Sequence, residues 1–156
     1  MITYYYDLVL NNINLPQLRP VKRIEYEQLL DKPEHVYDFV SMAGLQDYAE
    51  EHSLLIGIDS HSSVLGSFIL SHGSVNTCQV GTREIFIRLL LVGATSFFIV
   101  HNHPSGDCKP STEDLRCLRK LKNAGALMNT EILDFIIVGK RGYYSARESF
   151  KDWSTL

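Results

Sequence analysis

Hydrophobic and polar positions change their period several times along this chain, and each change predicts an element. Near the start, Tyr4, Tyr6, Leu8 and Leu10 alternate with other residues, as in a strand. The remainder of residues 1–33 reads as irregular, punctuated by Pro16, Pro20 and Pro33. From Glu34 to about Glu51, Val36, Phe39, Val40, Ala43 and Tyr48 recur at helical spacing, with Gly44 weakening the middle. LLIGID (54–59) and VLGSFILS (64–71) predict two strands, and the short SHSS turn joins them as an antiparallel hairpin. TREIFIRLLLVGA (82–94) predicts a helix capped by Thr82 and ended by Gly93. It is apolar over most of its surface, which predicts deep burial.

SFFIV (96–100) is a continuous apolar run and suits a central strand buried on both faces. A polar turn follows over 101–110. A second helix runs from about Thr112 to Asn123 and stops near Gly125, with Leu115, Leu118 and Leu121 along one face. EILDFIIVG and GYYSA, joined by GKRG, predict a closing hairpin. The fold class is therefore α/β (α+β), one mixed sheet with helices packed on it and antiparallel pairs at both ends.

Composition narrows the picture. A chain of 156 residues, 45% hydrophobic and 21% charged, fits one globular domain. No internal repeat or low-complexity segment interrupts it. A net charge of -3 and a pI near 6.0 argue against broad nucleic-acid binding, which leans on clustered cations. Arg19, Lys22 and Arg23 form one short basic patch, read as a solvated face or a partner-contact edge. No run of ~18 apolar residues suggests a membrane span. The opening residues lack the layout of a secretory signal, so the cytoplasm is the expected compartment. Three cysteines, Cys78, Cys108 and Cys117, without a C-x-x-C pair, suggest reduced thiols rather than a zinc ribbon.

The chemistry concentrates in FFIVHNHPSGDCKPSTEDL, residues 97–115. Alternation along a strand aims His101 and His103 to one side and Asn102 to the other. A loop restricted by Pro104, Gly106 and Pro110 leads to Ser111, with Asp114 in the first turn of the following helix. Two imidazoles and the Asp114 carboxylate make three protein ligands, the count of a catalytic zinc site with one position left for water. Hydrolysis also needs a carboxylate base, and Glu50 or Glu51, just before LLIGID, is the candidate if that strand lies beside 96–100. Ser111 and Asp114 also match a capping box, which is compatible with a metal site. Cys108 is an alternative ligand. A zinc deaminase would need H-x-E with P-C-x-x-C, which is absent, and an HNH nuclease spreads its histidines over a larger unit.

His101-Asn102-His103, seven intervening residues, Ser111 and Asp114 together resemble the motif of the JAB/JAMM (MPN-type) metallopeptidases. The longer HNHPSGDCKPSTEDL resembles the RadC branch, and the likeness extends over roughly residues 50–150. The resemblance implies a cytidine-deaminase-like three-layer fold in residues 36–156, with residues 1–35 as an extension packed on or beside it. It implies Zn²⁺ on His101, His103 and Asp114, Glu51 rather than Glu50 as catalytic base, and Ser111 as oxyanion stabiliser. The implied reaction is hydrolysis of a peptide, isopeptide or other amide bond, with a peptide or protein tail as substrate, ubiquitin-like tails included.

Phe135 stands where the branch commonly has His, and Ser53 where an aromatic is usual. The first ~35 residues do not resemble the helix-hairpin-helix region of full-length RadC proteins, which weakens a direct DNA role. A catalytically silent scaffold and a DNA-repair-associated protein are the alternative functions. An apolar helix and exposed strand edges are compatible with a homodimer.

Overall fold

The computed structural model describes residues 2–72 and 81–153. Its centre is β5 (Ser96–Asn102), the apolar run that reads as a two-sided strand. Phe97 and Ile99 point to one face and Phe98 and Val100 to the other, and all four are buried. Each such side chain contributes about 1.5–3 kcal/mol on leaving water. β5 pairs antiparallel with β3 (His52–Ile58) and parallel with β6 (Glu131–Gly139). β3 turns antiparallel into β4 (Val64–His72), and β6 into β7 (Gly142–Ser145), as the two predicted hairpins require. In the first turn, Asp59 Oδ1 accepts the amide protons of His61 and Ser63.

The sheet is seven-stranded, in the order β2-β1-β4-β3-β5-β6-β7. β1 (Ile2–Leu10) lies parallel to β4, and β2 (Pro16–Glu25) forms the outer edge. β2 corrects the expectation of irregular chain around Pro16 and Pro20. Proline lacks an amide proton and is tolerated on an edge strand, and Pro20 pairs with Tyr6 beside a register shift. The basic patch Arg19, Lys22 and Arg23 lies along this edge, where charge discourages pairing with another chain. Its ion pairs, Arg19–Asp7 and Arg23–Glu25, are exposed and contribute little to stability.

Helices cover both faces, giving three layers. α1 (Pro33–Met42) packs Val36, Phe39 and Val40 against Leu54, Ile56, Phe98 and Val100. It is shorter than its sequence pattern suggests. Gly44 takes φ +75 and ends the helix, and a separate 3₁₀ turn follows over Leu45–Asp47. On the other face lie α2 (Thr82–Val92), α3 (Thr112–Met128) and the one-turn α4 (Ala146–Ser149).

Readings of two of these helices need correction. Gly81, not Thr82, is the N-cap of α2, with no side-chain cap; Gly93 ends the helix at φ +72 as expected. Only Ile85, Phe86 and Leu89 of α2 are buried, while Leu90 and Leu91 face outward. α3 does not stop at Gly125 but continues to Met128, with Asn129 as left-handed C-cap. Gly125 is required for a different reason: a Cβ there would sit 2.6 Å from the Thr130 carbonyl oxygen. Among the described residues, no helix is long and apolar enough to cross a membrane. Among the described residues, Cys108 and Cys117 form no disulfide, and Cys78 lies outside them.

Candidate metal centre

The site sits where β5 runs out and α3 begins. His101, the penultimate strand residue, shares the α2–α3 face with Ile99 and is only 2% exposed. Asn102 points to the α1 face. His103 follows just past the strand end, and its amide still bonds the Val138 carbonyl at 2.9 Å, so the backbone stays anchored to β6.

The loop is built to hold the second histidine. Gly106 takes φ +82, and its amide closes a turn onto the His103 carbonyl at 2.9 Å. Asp107 Oδ1 accepts the Lys109 amide proton. The Asp107 carbonyl then accepts from His103 Nδ1 at 2.6 Å. A carbonyl can only accept, so the proton is on Nδ1 and the Nε2 lone pair is left for a metal. The loop presses on the end of β6 so closely that a Cβ on Gly139 would meet Gly106 O and Cys108 Sγ at 2.7 Å. Cys108 directs its thiol at the Gly142 carbonyl, and burial raises its pKa. Among the described residues, the group that could hold a metal ion is His101, His103 and Asp114, and Cys108 is not part of it.

Asp114 arrives from the first turn of α3. Ser111 is the N-cap and the capping box is complete. Ser111 Oγ accepts the Asp114 amide proton at 3.1 Å. The Ser111 amide and hydroxyl both donate to Asp114 Oδ2 at 2.7 Å. The cap thereby locks the carboxylate, with Oδ1 3.5 Å from His101 Nε2 and Oδ2 3.8 Å from His103 Nε2. One ligand atom from each residue lies within 4.8 Å of the others. Ligands at ~2.0–2.1 Å around a tetrahedral ion stand ~3.3 Å apart, so small adjustments suffice.

Two further features fit a cation. His101 Nε2 is buried and has no hydrogen-bond partner among the described residues, a cost that coordination would remove. Burial holds the imidazole neutral, lowering its pKa to about 4, with His103 adding to the effect and Asp114 opposing it. Neutral imidazole is the form that binds metal. Phe135 packs edge-on against His101 at 5.3 Å between ring centroids, so an apolar ring walls that side of the ligand.

The two glutamates differ in exposure. Ser53 pairs with His101, and β3 begins at His52, so both glutamates lie just before the strand that flanks the histidines. Glu51 is half-buried, whereas Glu50 is exposed. Sequence reasoning gave Asn102 no role. Its carboxamide makes three hydrogen bonds to the 48–52 segment that carries both glutamates. The available signal was a polar residue on the inner side of an otherwise apolar strand face.

Residues 30–151 match the RadC-like JAB domain family. The chain belongs to that family. Similar proteins include a UPF0758 protein of Chlorobium chlorochromatii, 37% identical over 113 residues, covering 72% of this chain and 50% of the relative. One from Pelobacter propionicus is 35% identical over 124 residues, covering 80% and 54%. One from Shouchella clausii is 37% identical over 122 residues, covering 77% and 52%. The RadC-like chain thus spans about half the length of the curated relatives it matches. The mixed seven-stranded sheet between helical layers agrees with the JAB/MPN fold. Its His101–His103–Asp114 group is able to hold a metal ion.

Proposed function

We propose that this RadC-like domain is a zinc-dependent hydrolase that cleaves a peptide, isopeptide or other amide bond. The observation that carries the reading is the buried His101 Nε2, without a hydrogen-bond partner among the described residues and facing Asp114 and His103. Two nitrogens and one carboxylate oxygen are the donor set of a catalytic zinc site. A bound zinc ion would act as a Lewis acid on the scissile carbonyl and make water a better nucleophile near neutral pH.

The chain's own groups supply the proton transfers. Glu51 takes a proton from the attacking water as the new C–O bond forms. It returns that proton to the leaving nitrogen as the C–N bond breaks, giving a carboxylate and an amine. Ser111 turns its hydroxyl from Asp114 toward the developing oxyanion. The substrate class proposed is a peptide or protein tail, ubiquitin-like tails included.

Zinc content and turnover of a pool of quenched fluorogenic peptides test this together. The expected result is about one zinc per chain, lost in His103→Ala. Glu51→Gln should keep its zinc and lose about 10²–10⁴-fold in turnover. Zinc binding with no cleavage of any peptide or isopeptide probe, and partner capture indifferent to Glu51→Gln, would instead mark a silent scaffold.

A further inference from the structure

The residue between the two histidines has no part in the mechanism above, yet it is among the most constrained polar groups in the molecule. Asn102 is fully buried at the end of β5, in line with Phe98 and Val100 on the α1 face. Its Oδ1 accepts the His52 amide proton at 2.7 Å. Its Nδ2 donates to the Glu50 carbonyl at 3.0 Å and the Tyr48 carbonyl at 3.3 Å. Residues 48–51 belong to neither helix nor strand, lying between the 3₁₀ turn and β3. The carboxamide therefore ties down irregular backbone on both sides of Glu51. The Tyr48 ring, stacked 3.9 Å from the His52 ring, braces the same segment.

We propose that Asn102 is a positioning residue: its carboxamide fixes the Tyr48–His52 backbone so that the Glu51 carboxylate stands over the metal centre. The proposal rests on Glu51 being the base. One strand end then organises both halves of the site, holding the ligands with one face and the base with the other. The chemistry is specific to a primary amide, because the segment offers one donor and two acceptors. Aspartate would keep the His52 bond but set a carboxylate against two carbonyl oxygens. Leucine would fill the volume and make no hydrogen bond. A base held on a loop loses effectiveness when its support lets it drift by an ångström.

The test uses Co²⁺ in place of zinc in the full chain, with glutamate side chains and leucine methyls labelled with ¹³C. Pseudocontact shifts then report how near each glutamate lies to the ion, and Glu51→Gln assigns the Glu51 signal by its disappearance. In the wild-type chain Glu51 should be the most displaced glutamate. In Asn102→Ala that displacement should fall by about half or more, while metal content and the shifts of Leu118 methyls stay unchanged. Asn102→Asp should show the same loss, which covers failure of the alanine variant to fold. Turnover of the peptide pool should fall in both, with no additional loss when Asn102→Ala is placed on Glu51→Gln. Wild-type Glu51 shifts in a folded Asn102 variant would overturn the positioning role and leave Glu51 standing as base. A Glu51 signal no more displaced than remote glutamates in the wild-type chain, or no uptake of Co²⁺, would overturn the base assignment and the positioning role with it.

Discussion

The RadC-like domain uses one local device twice, with different results. Ser111 caps α3 and donates to the buried Asp114. Ser145 caps α4, accepting the Glu148 amide proton, and donates to the buried Asp134 at 2.5 Å. Around Asp134 both oxygens are engaged by protein donors, since Oδ1 also takes the amide protons of Phe135 and Arg147. Around Asp114 the donors converge on Oδ2, and Oδ1 is left facing His101 Nε2 beyond hydrogen-bond length. A buried carboxylate closed by donors is architecture. One left open toward two imidazole lone pairs can bind a cation.

Removing each carboxylate gives the largest expected contrast. Asp114→Ala should abolish zinc binding, read by elemental analysis, and leave a folded domain. Asp134→Ala should retain about one zinc per chain and lose on the order of 3 kcal/mol in denaturant unfolding, because three donors, two of them in buried hydrogen bonds, lose their acceptor. Zinc lost in both variants, or in neither, would dissolve the distinction.

Acid should next separate the two sites by sign. His101 is held neutral down to about 4 in the folded chain, below the ordinary 6.5. Protons therefore prefer the unfolded state, and metal-free stability should fall as pH drops from about 6.5 to about 4. Asp134 is raised, chiefly by burial and against the pull of its Ser145, Arg147 and Phe135 hydrogen bonds. Its protonation favours the folded state, so it adds stability as pH falls through its own titration. Urea midpoints against pH for the metal-free chain, with His101→Phe and Asp134→Asn, check both. His101→Phe should flatten the fall, and Asp134→Asn should deepen it.

The smallest effect lies in the serines. Ser145→Ala and Ser111→Ala should each cost about 1 kcal/mol as caps. Only Ser111→Ala should also weaken zinc binding and slow hydrolysis. Equal zinc affinity in the two variants would mean that the Ser111–Asp114 pair is a cap and nothing more.

What was legible in the sequence follows the range of the forces involved. The hairpins, the central strand and the convergence of His101, His103 and Asp114 depend on alternation and on one helix turn, which a local pattern encodes. β2 was missed because Pro16 and Pro20 argue against strand, and only its place at the sheet edge makes them acceptable. Gly125 looked like a helix stop but serves a contact with Thr130, closed by the returning chain. The choice of Glu51 over Glu50 could not be made from spacing alone. The fold adds a difference of exposure, Glu51 half-buried and Glu50 exposed, which depends on packing against residues far apart in sequence. The hydrogen bonds of Asn102 were out of reach for the same reason, since all three cross from β5 to residues 48–52.

Anomalous diffraction at the zinc edge from crystals of the zinc-loaded chain tests the central claim most directly. One peak about 2.0–2.2 Å from His101 Nε2, His103 Nε2 and an Asp114 oxygen, with Asp134 bare, is the predicted result. A peak elsewhere, or density showing the His101 and Asp114 side chains hydrogen-bonded to each other with no ion between them, would contradict it.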